Sequence, residues 1–192
     1  MLRRYEPEIT RFLRTQLRDA HVFFDIGAAA GRYSRLGMRV MKQGTVVAFE
    51  PNPEVRGRLE RLNIDVMPFA LGATDGTVNL ELRRGECARI EQNRAHTAVV
   101  TEARVLSVPV RRLDSLQLPR PDVIKIDLEG AELDVLAGGM VTVARASALV
   151  VECHSMPLLR DVLTLLLDHG FGRVSVTRGG DYVGPPALLA VR

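Results

Sequence analysis

Apolar runs of strand length alternate along the chain with segments whose apolar residues recur at helical spacing. Val22–Ile26 is the first such run, broken only by Asp25 and followed at once by Gly27. Residues 33–42 read as a helix with Gly44 as its stop, and Thr45–Phe49 as a second strand ending in Glu50. Asn52, Pro53 and Glu54 supply an N-cap, a proline at the first helical position and an acid in the first turn. That predicts a helix to about Leu62, with a third strand over 64–70. Upstream, Ile9, Phe12, Leu13 and Leu17 share one helical face of residues 6–19, opposite arginines. The pattern then changes. Residues 77–82 and 105–110 alternate as strands around a polar stretch carrying Arg83, Arg84, Arg89, Arg94 and His96. The strand–helix order resumes at 122–127, with a helix expected to end at Gly138-Gly139, then a strand over 148–153. Ser155 can cap a helix closed by Gly170, and 171–177 with Ala187–Val191 predict a closing antiparallel pair.

This order predicts an α/β fold: a mostly parallel, Rossmann-like sheet with an antiparallel C-terminal strand and helices on both faces. The expected organisation is one domain over 1–192, with 1–20 as an N-terminal cover helix. The strand-rich insertion at 72–110 is a candidate lid, or else a solvated surface loop.

Composition changes this picture little. The chain has 192 residues, 46% of them hydrophobic, which suits a single domain with a substantial core. Its net charge of +3 is carried almost wholly by arginine, Lys42 and Lys125 being the only lysines. Cys87 and Cys153 have neither disulfide nor metal-ligand spacing, which points to a reducing, cytoplasmic setting. No apolar run reaches membrane-spanning length.

Candidate chemistry concentrates at strand ends. Gly27, Ala29 and Gly31 allow a sharp turn and close approach of a ligand to the backbone. A helix starting near Gly31 would turn its free N–H groups toward that ligand. Glu50, nineteen residues past Gly31, ends its own strand, where a carboxylate can accept both hydroxyls of a ribose. The glycine spacing is one residue too close for the dinucleotide fingerprint, and no Walker lysine follows. Asp25 before the loop suits an amine-bearing ligand better than a pyrophosphate, so S-adenosylmethionine fits best.

Asp127, Glu129, Glu132 and His154 lie just past the ends of two strands expected to be neighbours. Lys125 is a charge inside an apolar strand, and Asp127, two residues on, points to the same face. His154 has the better unperturbed pKa for a base, ~6.5, with Asp127 orienting and Lys125 keeping it ionised. The bland alternatives stay open at this point: a structural Lys125–Asp127 pair, helix-dipole acids at Glu129 and Glu132, and a strand-end histidine.

The runs F-F-D-I-G-A-A-A-G-R-Y-S, A-F-E-P-N-P, A-L-G-A-T-D-G, V-I-K-I-D-L-E-G-A-E-L-D-V-L-A-G-G and V-V-E-C-H, in this order, resemble the FkbM family of methyltransferases. The resemblance implies a class I S-adenosylmethionine-dependent fold and O-methylation of hydroxyls on sugars or natural products. It implies a cofactor held at Asp25, Gly27, Gly31 and Glu50, with Ala29 and Asn52 beside them and Ala70-Leu71 near the adenine. Asp127 would lie near the methyl donor, and Glu129, Glu132 and His154 near the acceptor. No metal site is expected. The expected partner is a small-molecule or carbohydrate hydroxyl, without nucleic acid. An RNA 2'-O-methyltransferase and a non-catalytic S-adenosylmethionine-binding protein are the alternatives, the first lacking a visible aromatic platform or basic stripe.

Overall fold

The computed structural model describes residues 6–82, 88–90 (as backbone), 104–177 and 185–192. The chain enters through α1 (Pro7–Gln16), then β1 (Val22–Ile26), α2 (Arg32–Val40) and β2 (Thr45–Phe49). A short α3 (Pro53–Arg56) leads to β3 (Asp65–Met67) and β4 (Ala70–Leu71). β5 (Gly76–Leu82), β6 (Ala88–Ile90) and β7 (Arg104–Arg111) follow. The last third comprises β8 (Val123–Ile126), α4 (Glu132–Val143), β9 (Ala148–Glu152), α5 (Met156–Asp168), β10 (Arg173–Val176) and β11 (Ala187–Val191).

Seven strands form the main sheet in the order β10-β11-β9-β8-β1-β2-β3. The pairings of β9, β8, β1, β2 and β3 are parallel, and β11 runs antiparallel to both β9 and β10. The chain moves outward from β1 through β2 to β3, then returns to β8 on the other side of β1. The C-terminal ends of β1 and β8 are therefore a topological switch point, where such sheets open a crevice. One face packs on α4 and α5 through Val135, Leu136, Val143, Val162 and Leu166, all fully buried. The other packs on α1 and α2 through Ile9, Leu13 and Tyr33.

The insertion is a second sheet, β4-β7-β5-β6, with its own small core of Ala70, Leu80, Leu82, Val108 and Val110. The polar stretch suggested as its mobile part, including Arg83, Arg84, Arg94 and His96, lies outside the described residues, as does the loop at 178–184.

Three expectations are corrected. The helix after Asn52 stops at Arg56 rather than near Leu62. Gly57 follows, and the chain continues in tighter turns, with Arg58 N bonding Val55 O and Leu62 N bonding Leu59 O three residues back. The third strand ends at Met67, because Pro68 has no N–H for the ladder; Ala70–Leu71 instead pairs with β7 in the second sheet. Gly138 and Gly139 do not end α4, which runs on to Val143. They are sites of close packing: a Cβ at Gly138 would sit 2.0 Å from Gly72 O, and one at Gly139 2.9 Å from Leu113.

Candidate active site

The loop after β1 is shaped by residues with left-handed backbones. Gly27 has φ 76°, and a Cβ there would lie 1.9 Å from the Asp127 carbonyl oxygen, so only glycine fits between the ends of β1 and β8. Gly27 N and Ala28 N both donate to Phe49 O at 3.1 Å. Ala29 is left-handed at φ 46°, a conformation that disfavours a side chain. Its N–H donates to Glu50 Oε2 at 2.8 Å, while Asn52 N donates to Oε1 at 2.8 Å. Glu50 therefore spans the β1 and β2 loops, each oxygen keeping a lone pair for a ligand. Burial pushes its carboxyl up to about 7, against the two backbone bonds.

Two clefts meet at this loop. An apolar one, open on one side, is lined by Phe49, Phe69, Ala70, Leu71, Leu80 and Leu128, with Glu50 and Glu129 on its rim. A polar one is lined by Glu6, Asp25, Arg32, Tyr33 and Lys125. Gly27, Ala29 and Asp127 border both.

The polar cleft is backed by buried charge. Asp25 pairs in register with Lys125 across β1 and β8. Ser34 Oγ donates to Asp25 Oδ2 at 2.6 Å; Oδ1 has no hydrogen-bond partner among the described residues. Burial raises the Asp25 carboxyl, with Lys125 pulling it back. Lys125 Nζ lies 3.0 Å from Asp127 Oδ2, 3.2 Å from Glu152 Oε1 and 4.9 Å from the centroid of the Tyr33 ring. Burial alone would depress this lysine, but Asp127, Glu152 and Asp25 hold it well above its ordinary value. One ammonium is shared by two neighbouring carboxyl groups. Burial works against the Asp127 charge, yet Lys125 and His154 bring its carboxyl below the usual value, while burial pushes Glu152 up to about 8. Asp127 is the charged partner.

His154 stands behind the rim. Its Nδ1 is 2.9 Å from Oε1 of Glu132, a fully buried carboxylate that also accepts from Leu128 N and Gly130 N at 3.2 Å. Its Nε2 lies 3.7 Å from Asp127 Oδ1 and 3.8 Å from Glu129 Oε2. Burial lowers the His154 pKa, but Glu132, Glu129 and Asp127 outweigh it and raise it. His154 and Glu132 line neither cleft; Nε2 faces Asp127 and Glu129, which do, and a histidine held through Nδ1 by a carboxylate has the chemistry of a base.

The structure thus brings Asp25, Lys125, Asp127, Glu129, Glu132 and His154 together, and sets Gly27, Ala29, Glu50, Ala70 and Leu71 along the clefts. Asn52 lines neither cleft; its side chain caps α3, accepting from Glu54 N at 3.0 Å, while its N–H braces Glu50. Gly31 caps α2 and packs on Leu59. Glu152, Tyr33, Ser34 and Glu6 are missed by sequence reasoning. Glu152 carries the same signal as Lys125, a charge within an apolar strand.

A parallel sheet with this order, an antiparallel closing strand, and paired clefts at the switch point define a class I methyltransferase-like fold. The chain belongs to the FkbM methyltransferase family, residues 25–172 matching the methyltransferase FkbM domain. It is 26% identical over 167 residues to the hexuronic acid methyltransferase AglP of Haloferax volcanii, covering 85% of this chain and 68% of that protein. It is 27% identical to the 2-O-methyltransferase NoeI of Sinorhizobium fredii, covering 76% and 70%. The crystal structure of methyltransferase FkbM from Methylobacillus flagellatus superposes with a TM-score of 0.67 at 20% identity, over 90% of this chain. The match spans 44% of that protein's length. Among the described residues no helix is long and apolar enough to cross a membrane.

Proposed function

We propose that the chain is an S-adenosylmethionine-dependent O-methyltransferase acting on a hydroxyl of a carbohydrate or other small-molecule acceptor. The observation that carries this is the pair of clefts sharing Gly27, Ala29 and Asp127. The apolar cleft with Glu50 at its rim suits an adenosine. The polar cleft, with the unpartnered Asp25 Oδ1, suits an ammonium. Solved structures with this fold include an O-methyltransferase from Bacillus cereus in complex with S-adenosylhomocysteine, at a TM-score of 0.55 and 14% identity. The two named relatives, a hexuronic acid methyltransferase and a 2-O-methyltransferase, support a carbohydrate hydroxyl as acceptor.

Bound in these clefts, the cofactor supplies a methyl carbon on a sulfonium, a good leaving group. The protein's task is to position the acceptor oxygen and remove its proton. Positioning can lower the barrier by several kcal/mol. Glu50 would accept the ribose hydroxyls on its remaining lone pairs. Asp127, kept ionised by Lys125, would orient the acceptor or the cofactor amine. His154 Nε2 would take the hydroxyl proton, with Glu132 stabilising the imidazolium that results.

The test is Glu50→Ala, titrated calorimetrically with S-adenosylhomocysteine beside wild type, while an acceptor panel is screened by S-adenosylhomocysteine release. Loss of hydrogen bonds to a charged group, ~1.5–3 kcal/mol each, should abolish measurable binding with the fold intact. Unchanged affinity in the variant rejects this pocket.

A further inference from the structure

We propose that Glu6 and Tyr33 form a specificity-determining wall of the cofactor's aminoacyl subsite, so that the segment leading into α1 is part of the binding machinery. This rests on the S-adenosylmethionine reading above. Both residues line the polar cleft opposite Asp25, Lys125 and Asp127. Both are buried, at 2% and 6% exposure.

Glu6 is placed at a local disadvantage. It holds the N-cap position of α1, where a carboxylate normally accepts an N–H from the first turn, yet it makes no such bond. Its backbone is left-handed, at φ 45°, a conformation that non-glycine residues persist in only where the surroundings impose it. Instead, its carboxylate accepts the Tyr33 hydroxyl from the first turn of α2. The face of the Tyr33 ring lies under Lys125 Nζ. The chain Glu6–Tyr33–Lys125 thus ties α1, α2 and β8 together along one cleft.

Anchoring α1 does not require this. Ile9, Leu13 and Leu17 already bury that helix against Phe23, Val46 and Tyr33. A buried carboxylate is a poor anchor, because an apolar side chain of similar size fixes the same helix without desolvating a charge. The cleft it borders suits the polar end of a free amino acid: Asp25, whose Oδ1 has no partner among the described residues, matches an ammonium, and Glu6, Arg32 and Lys125 make the surrounding wall charged. Adenosine alone would need none of these groups.

The test compares two ligands on three proteins: wild type, Tyr33→Phe and Glu6→Gln. S-adenosylhomocysteine carries the aminoacyl group and 5'-methylthioadenosine lacks it. Tyr33→Phe keeps the ring and its packing, so its folding is checked by melting temperature alongside. The expected result is a loss of about tenfold or more in S-adenosylhomocysteine affinity in both variants, the scale of one charge-assisted hydrogen bond. Binding of 5'-methylthioadenosine should stay within about twofold. Equal losses for both ligands, or a lower melting temperature with no loss, would make Glu6 and Tyr33 a brace for α1 and overturn the proposal. If wild type binds neither ligand, the cofactor reading itself fails and takes this inference with it. If wild type binds both with equal affinity, only the aminoacyl subsite fails.

Discussion

Successive residues of the central strands face two differently built halves of the molecule. On the α4/α5 face, Phe24 and Ile26, Ile124 and Ile126, then Leu149, Val151 and Cys153 stay apolar to the ends of the strands. On the α1/α2 face, Phe23, Val123, Ala148 and Val150 begin the same way. Toward the C-terminal ends the residues become Asp25, Lys125 and Glu152, all buried. The strands, their register and their burial are shared, so the difference is not one of fold. Desolvated charge is expensive even when paired, and an apolar layer would hold these helices as well or better. The charged half-face marks where the molecule gives up packing for ligand chemistry.

The largest expected effect breaks that contrast at its centre. Lys125→Met keeps the bulk but strands Asp127, Glu152 and Asp25 without their cation, and removing one partner of a buried pair costs about 3–5 kcal/mol. Ile124→Val, one residue away on the other face, should cost about 0.5–1.5 kcal/mol. The two should differ in sign of pH response as well as in size. In wild type the Asp127 carboxyl is held below its usual 3.8, mainly by Lys125 against burial. That stability is present above 3.8 and lost as pH falls through the lower folded value. Lys125→Met should behave oppositely, regaining stability in acid as its orphaned carboxylates protonate. Denaturant midpoints for both variants over roughly pH 2 to 5, where the Asp127 contribution is lost in the protein that keeps Lys125, decide it. A Lys125→Met protein as stable as wild type at neutral pH would remove the cluster's energetic role.

This contrast also explains what the sequence makes legible. Strand periodicity locates β1, β2, β8, β9 and β11, because each is a short apolar run bounded by turn signals. Lys125 stands out in such a run, and Asp25 likewise, so part of the charged half-face is readable. Glu6 and Tyr33 are not, since their meeting depends on how α1 and α2 cross the sheet. The misread glycines have the same origin. Gly138 and Gly139 look like a helix stop locally, yet the second sheet and Leu113 press against them. Gly57 looks permissive inside a helix and instead ends one. Pro68 divides what reads as one strand between two sheets. The site residues at strand ends are legible because topology puts them together; their partners are fixed only by packing.

His154 sharpens the comparison by separating chemistry from stability. It follows Cys153 off the end of β9, beyond either core. Removing a general base typically lowers turnover ~10²–10⁴-fold. His154→Ala should do so with near-normal S-adenosylhomocysteine affinity and a small change in melting temperature. The pH profile carries the sign. The base must be neutral, and although burial lowers its pKa, Glu132, Glu129 and Asp127 raise it on balance above 6.5. Turnover in wild type should therefore climb through a value above that of free histidine and then level off. For stability the same shift is present in full below 6.5 and fades as pH rises through the folded value. Turnover within a few-fold of wild type would shift the search for the base to Asp127, Glu129 or Glu132.

At pH 5, where it is smallest, the effect of Glu152→Gln tests whether Glu152 belongs to the charged set at all. Burial pushes its carboxyl up to about 8 despite Lys125, with Asp127 and Glu6 adding to the rise. A carboxyl raised on folding takes up a proton as the chain folds. Its contribution is therefore most favourable below the usual 4.5 and falls as pH rises toward 8. Glu152→Gln imitates the protonated form and removes this titration. At pH 5 the variant should match wild type to within about 0.5 kcal/mol, the ordinary scale of a neutral substitution. Toward pH 8 its stability should hold while that of wild type declines, so that the variant draws level or ahead. Parallel curves across the whole range would show Glu152 ionised throughout and Lys125 serving two carboxylates at once. The polar half-face would then carry one more negative charge against the cofactor's sulfonium.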